Sequence, residues 1–317
     1  MTDISVIVPL LNEAESLSEL CSRIDAVMKQ ESFSYEVILV DDGSTDNSWE
    51  VIQKLAGENS SLHGIRFRRN YGKSAALFCG FRQAVGEVVI TMDADLQDSP
   101  EEIPGLYRMI VNDGFDVVSG WKQKRKDNAL TKNLPSKVYN ATARCITGIK
   151  LHDMNCGLKA YRKDVVKSIE VYGEMHRYIP YLAKNAGFTH IGEKPVHHDK
   201  RKYGKSKFGM NRFVNGFLDL LSLWFLSTFG KKPMHFFGYN GIFMFLVGFV
   251  MTIWIIVEKL VHQAQGLKYR AVTDQPLFYL ALMAVVLGVM LFLTGFLGEM
   301  IARSSSERND YNIKDQF

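Results

Sequence analysis

Cysteine is scarce in this chain of 317 residues: Cys21, Cys79, Cys145 and Cys156 lie far apart, and no C-x-x-C pair occurs. That excludes a disulfide framework and a structural zinc site, and it makes a reducing compartment the expected setting. A strong charge of one sign is also missing. The 38 basic residues outnumber the 34 acidic ones by too little to argue for nucleic acid, and no such partner is expected. The opening MTDISVIVPLLNE lacks a basic segment followed by a long apolar core, so no signal peptide is expected. A complete glycine-rich phosphate loop is absent too. Asn70-Tyr71-Gly72-Lys73-Ser74 looks like the end of a Walker A motif, but Phe67 stands where its first glycine belongs. Lys73 is left free to reach a phosphate or a base.

What is present divides along the chain. Apolar residues make up 47% and charged residues 23%, so the chain is neither a disordered tail nor a fully embedded carrier. Up to about residue 200, short apolar runs alternate with stretches of helical period. Strands are predicted at Asp3–Pro9, Tyr35–Val40, Gly64–Arg68, Glu87–Met92 and Asp116–Ser119. Helices are predicted at Ala14–Lys29, Asp46–Leu55, Ser74–Val85 and Pro100–Asn112, with Ser44, Thr45 and Asp46 as capping candidates. This alternation means an α/β fold with a mostly parallel sheet covered on both faces. Ligands of such sheets bind at the carboxyl ends of the strands, here residues 9–13, 41–46, 70–73 and 93–97.

The last third reads differently. Met234–Val257 and Pro276–Gly298 carry no charge. At about 1.5 Å per residue, each can cross a hydrocarbon core about 30 Å thick. Phe213–Phe229 reads as a helix lying in the membrane interface, a third crossing being the competing reading. Basic residues concentrate before the first span and after the second. By the positive-inside rule, the large domain and the C-terminus then face the cytosol, at a cytoplasmic (inner) membrane. The expected domains are 1–210 (catalytic), 211–232 (interfacial), 233–300 (two-helix anchor) and 301–317 (cytosolic tail).

Two acidic turns carry the chemistry. In Asp93-Ala94-Asp95-Leu96-Gln97-Asp98, carboxylates at i and i+2 directly follow a buried strand. Such hard oxygens suit Mg²⁺ or Mn²⁺ bridging to a diphosphate, with Gln97 adding a neutral oxygen. The alternative is an Asp-rich turn that merely caps the next helix. In Asp41-Asp42-Gly43-Ser44-Thr45-Asp46, Gly43 suits a tight turn, and Asp41 and Asp42 can accept hydrogen bonds from a base or a ribose. Lys122, Arg125, Lys132 and Lys137 form one basic group, and Arg201, Lys205 and Lys207 another. Either group can bind phosphate or be a solvated face or a lipid-headgroup patch. His197-His198 ends a predicted strand without metal-ligand spacing. Cys156 lacks a paired histidine, and Asp153 and Asn155 either shape an acceptor pocket or are structural.

These motifs form a set: Val8-Pro9-x-x-Asn12-Glu13, Asp41-Asp42-Gly43-Ser44-Thr45-Asp46, Asn70-x-Gly72-Lys73, Asp93-x-Asp95-x-Gln97 and Arg201-x-x-Gly204-x-Ser206-Lys207. Together they resemble the family 2 glycosyltransferases of the Rossmann-like GT-A fold. More narrowly, they resemble the polyprenyl-phosphate glycosyltransferases, which include bactoprenol glucosyltransferase and dolichol-phosphate mannose synthase. The resemblance implies that Pro9, Leu11, Glu13, Asp41, Asp42, Lys73, Asp93 and Ala94 line the nucleotide site. Asp93 would contact the ribose or the metal, and Asp95 with Gln97 would hold Mg²⁺ or Mn²⁺. Lys122, Arg125, Lys137, Arg201, Ser206 and Lys207 would bind the donor diphosphate and the acceptor phosphate. Asp93, Asp95 and Arg201 are the implied catalytic residues. Leu11 departs from the tyrosine of many relatives, so stacking on the base is weaker or comes from elsewhere.

The implied reaction moves a hexose from a nucleotide sugar, UDP-glucose being the expected donor, to undecaprenyl or dolichyl phosphate in the bilayer. A lipid monophosphate, with a second pKa of about 6, is already anionic and needs no general base. Direct displacement inverts the anomeric centre. A homo-oligomer, a tetramer by family analogy, is expected. The alternatives are a processive polysaccharide synthase, which the lack of a Q-x-x-R-W stretch disfavours, and a non-catalytic nucleotide-sugar-binding scaffold.

Overall fold

A computed structural model describes residues 2–122, 144, 147–199, 202, 224–225, 228–229, 232–267 and 270–304. The chain divides into two compact units, Met1–Leu220 and Leu221–Phe317.

In the first unit, β1 (Ile4–Leu10), β2 (Tyr35–Asp41), β3 (Leu62–Arg66) and β4 (Val88–Thr91) are joined by α1 (Ala14–Gln30), α2 (Ser48–Glu58) and α3 (Lys73–Gln83). A 3-10 turn at Pro100–Glu102 leads into α4 (Ile103–Val111), followed by β5 (Val117–Lys122). Beyond these come β6 (Lys159–Arg162), α5 (Lys163–Ser168), α6 (Ile179–Asn185) and β7 (Ile191–Val196). The seven strands run in the order β3-β2-β1-β4-β6-β5-β7. All are parallel except β6, which lies antiparallel between β4 and β5. The fold is α/β of the GT-A type, with a mostly parallel sheet.

Apolar strands bury both faces of this sheet. Ile4, Val6 and Val8 pack under α1, α2 and α4 with Leu17, Leu20, Ile24, Ile52 and Leu106. Ile7, Ile38 and Val40 pack on the other side with Leu77, Phe81 and Val165. Each such side chain contributes about 1.5–3 kcal/mol relative to exposure. The two cores hold the strands so that the carboxyl ends of β1, β2, β3, β4, β5 and β7 share one edge, where β6 begins. The chain reverses its direction across the sheet between β1 and β4, the position where open α/β sheets bind ligands.

The second unit holds α7 (Pro233–Ala264) and α8 (Pro276–Ser304), both long and apolar enough to cross a membrane. Both outrun their predicted spans, and α7 takes in Glu258 and Lys259, expected in the connecting loop. Glycine lets the two backbones approach. A Cβ on Gly241 would lie 2.7 Å from the Gly288 carbonyl oxygen, and one on Gly248 would lie 2.6 Å from that of Ala281. These contacts run in opposite directions along the two helices, so the pair is antiparallel. The predicted interfacial helix at 213–229 lies outside the described residues, apart from Trp224, Phe225, Thr228 and Phe229.

Candidate active site

The turns at the carboxyl edge are tied to one another. Asn12 adopts a left-handed φ of 55° after β1. Its amide donates to Ser44 Oγ at 2.9 Å, and its side-chain oxygen accepts from the Thr45 amide at 2.8 Å. Asp46 accepts from the amides of Ser48 and Ala14, so it braces both turns and does more than cap α2. Pro9, Leu11 and Glu13 are half-buried along this edge. Asp41 is fully buried. Its Oδ1 accepts from the Ser44 amide at 2.8 Å, and its Oδ2 lies 3.6 Å from Arg66 Nε. Asp42 accepts from the amides of Tyr71 at 2.7 Å and Gly72 at 3.0 Å. The structure thus places Asp42 against the amides of the 70–72 segment. Burial raises its carboxyl above the usual range, against the pull of those two amides.

After β4, Asp93, Asp95 and Gln97 are half-buried, and Ala94, Leu96 and Asp98 are buried. Leu96, at φ 58°, folds the turn. Asp95 Oδ1 accepts from the Gln97 amide at 3.2 Å, and Gln97 Nε2 lies 3.4 Å from the Asp199 carbonyl oxygen, which leaves its own amide oxygen outward. Asp93 pairs with Lys73. Burial would raise the Asp93 carboxyl, but Lys73 and Lys122 outweigh it and hold it well below the usual range. Gly157 lies so close that a Cβ there would fall 2.5 Å from Asp93 Oδ2. One carboxylate and one amide oxygen at an open edge fit Mg²⁺ or Mn²⁺ held jointly with a substrate diphosphate, which asks for few protein ligands. Among the described residues no closed cage of three His, Cys, Asp or Glu side chains exists.

Several groups at this edge escaped the sequence reading. Asp98 is buried, and its Oδ1 lies 3.2 Å from Lys122 Nζ and 3.3 Å from His198 Nδ1. Lys122 is therefore ion-paired with Asp98. Burial alone would lower its ammonium, but Asp98 outweighs burial and raises it. A backbone bridge joins Asp98 to His198, and the Asp199 amide donates to the Gln97 carbonyl at 2.9 Å. The acidic turn is thereby stitched to the segment that leads to Arg201. Lys159 and His176 were missed as well. Lys159 looks like any lysine in a short strand, and because β6 is buried on both faces no local alternation marks it as inward. Burial pushes the Cys156 thiol up to about 12, so it stays protonated. Of the residues expected to bind phosphate, Arg125, Lys137, Arg201, Ser206 and Lys207 lie outside the described residues.

The profile of glycosyl transferase family 2 matches residues 5–170. The chain belongs to this family. It is 34% identical over 304 residues to the dodecaprenyl-phosphate galacturonate synthase of Rhizobium johnstonii, covering 95% of this chain and 88% of that protein. It is 36% identical over 316 residues to the undecaprenyl-phosphate 4-deoxy-4-formamido-L-arabinose transferase of Shewanella sediminis, covering 98% and 92%. Among solved structures, mannosyl-3-phosphoglycerate synthase from Rubrobacter xylanophilus superposes with a TM-score of 0.58 at 14% identity, over 72% of this chain and 75% of that one. Glucosyl-3-phosphoglycerate synthase from Mycobacterium tuberculosis, in complex with Mn²⁺, UDP-glucose and phosphoglyceric acid, gives 0.53 at 18% identity, over 70% and 80%. These structures share the fold with this glycosyltransferase.

Proposed function

We propose that this glycosyltransferase moves a hexose from a uridine diphosphate sugar to polyprenyl phosphate, with inversion at the anomeric carbon. One observation carries the reading. Asp93, Asp95 and Gln97 lie together, half-buried, at the sheet's point of reversal, in a chain that also carries two long apolar helices. The relatives' polyprenyl-phosphate substrates and the neighbour's UDP-glucose and Mn²⁺ complex support it. UDP-glucose is the reference donor.

An oxygen of the lipid phosphate attacks the anomeric carbon. The new carbon–oxygen bond forms as the bond to the diphosphate breaks, and the nucleoside diphosphate leaves with the electron pair. Asp95 and Gln97 would hold a divalent ion, which would supply charge neutralisation to the leaving diphosphate. Lys73 holds Asp93 in place as an anion. The acceptor, already anionic, asks for no general base. Arg201, Ser206 and Lys207, with Arg125 and Lys137, are the proposed phosphate contacts. Residues 1–210 form the catalytic region, 211–232 the interfacial segment, 233–300 the anchor and 301–317 the tail, at a cytoplasmic membrane with the catalytic region in the cytosol.

The test incubates membranes containing the full chain with polyprenyl phosphate, Mn²⁺ and a panel of labelled nucleotide sugars. Label entering the lipid fraction with one donor upholds the reading. No transfer with any donor overturns it.

A further inference from the structure

Beside the Asp93–Lys73 pair lies a small cavity walled by β4, β6, α3 and the turn at Met175–Arg177, and neither Asp95 nor Gln97 lines it. Its polar lining is Lys73, Thr91, Asn155, Lys159, Tyr161 and His176.

The hydrogen-bonding roles of these groups are lopsided. Lys159 is 3% exposed, and its ammonium donates to the Cys156 carbonyl. An ammonium has three hydrogens to place, and among the described residues no carboxylate pairs with this one. Such a buried cation is costly unless a ligand or partner compensates it. Tyr161 follows two residues later on the same face of β6. It is fully buried, and its hydroxyl has no hydrogen-bond partner among the described residues. Thr91 Oγ1 donates to the Gly157 carbonyl at 2.8 Å. Ser74 Oγ accepts from the His176 amide at 3.0 Å and lies 3.1 Å from His176 Nδ1. With the hydroxyl proton directed at Nδ1, the imidazole N–H stands on Nε2. Burial, with Lys73 and Arg177 beside it, pushes His176 down to about 2, so the ring stays a neutral donor.

The cavity thus offers donors from Lys159, Tyr161 and His176 and a surplus of positive charge. Asp93, the carboxylate beside it, is taken by Lys73. A water there would bring two more hydrogens to a site short of acceptors. A carboxylate brings two oxygens, about four lone-pair positions and a negative charge. The diphosphate is expected at the Asp95–Gln97 side, so a group reaching the cavity comes from the sugar. We propose that the cavity receives a carboxylate borne by the donor sugar, which makes the substrate class a nucleotide-linked uronic acid. This assignment rests on the reading of the Asp93 edge as a nucleotide-sugar site.

The experiment uses the detergent-solubilised full chain with polyprenyl phosphate, Mn²⁺, and UDP-glucose, UDP-galactose, UDP-glucuronate and UDP-galacturonate as donors. One uronate is expected to exceed its neutral parent by more than about 100-fold in kcat/KM, since a site built for a polar group rejects the analogue that lacks it. Tyr161→Phe keeps the ring and removes the unspent hydroxyl. It is expected to narrow that ratio about tenfold while the Kd for UDP stays the same. Lys159→Met is expected to narrow it further. Preference for a neutral hexose, or a ratio that neither variant moves, overturns the proposal. If no donor gives lipid-linked product, the reaction under Proposed function falls and the cavity is judged by binding alone. Tighter binding of a UDP-uronate than of its parent then upholds it, and equal binding overturns it.

Discussion

Asp95 and Asp42 are both acidic turn residues, yet they have opposite uses. Asp95 stands at the open edge, so Asp95→Asn is expected to lower kcat by about 10²–10³ through lost stabilisation of the leaving diphosphate, with the thermal midpoint nearly unchanged. A loss of stability equal to the loss of rate would contradict that role. Asp42 is 5% exposed and satisfies two amides of the 70–72 loop. Asp42→Ala strands those donors, and a loss of about 2 kcal/mol in unfolding free energy is expected from denaturant titration. His176 supplies a pH dependence. Its folded pKa of about 2 lies below the unfolded value of about 6.5. The unfolded chain therefore takes up a proton first as pH falls. The stability this residue contributes is present above pH ~6.5 and is lost progressively below it. The thermal midpoint should fall between pH 7 and pH 5, and His176→Asn should flatten part of that slope.

At the scale of elements, what could be read from the sequence was what local pattern dictates. β1, α1, β2 and the turn after β4 were legible because buried apolar runs end at once in carboxylates, asparagine or glycine. The antiparallel insertion of β6 was not legible. It is four residues long, and its partners Val88–Thr91 lie some seventy positions away, so no local period announces the pairing. The same distance problem hid the contact of Asp98 with His198, although both residues stood in noted motifs. The predicted bound at Asp46–Leu55 failed for another reason: Asp46 spends its second oxygen on Ala14, and the helix starts later, at Ser48. Gly157 joins β6 to the site. Gly157→Ala would press a methyl group against Asp93. The expected outcome is a fall in kcat/KM of at least about tenfold with a smaller stability change, measured by steady-state kinetics beside thermal unfolding. Unchanged kinetics would mean that Asp93 has room to retreat.

At the scale of the whole molecule, the antiparallel α7–α8 pair decides the topology. Two helices of this length put both of their outer ends on one side of a bilayer, whichever side that is. The choice of side then rests on charge. Lys231 and Lys232 precede α7, and Arg303 and Arg308 lie at and beyond the end of α8, against Lys268 and Arg270 in the connection. The basic residues Arg201, Lys202, Lys205 and Lys207 add to the first flank. The excess at the outer ends favours retaining them in the cytosol. A cysteine placed by Gln265→Cys, at the close of α7, should therefore react with a membrane-impermeant maleimide added to intact cells. Cys79, half-buried in the first unit, should stay unlabelled until the membrane is opened. Labelling of a tag at the C-terminus in intact cells, with Gln265→Cys protected, would reverse the orientation. It would also separate the first unit from a cytosolic nucleotide sugar, so the same measurement bears on the proposed reaction.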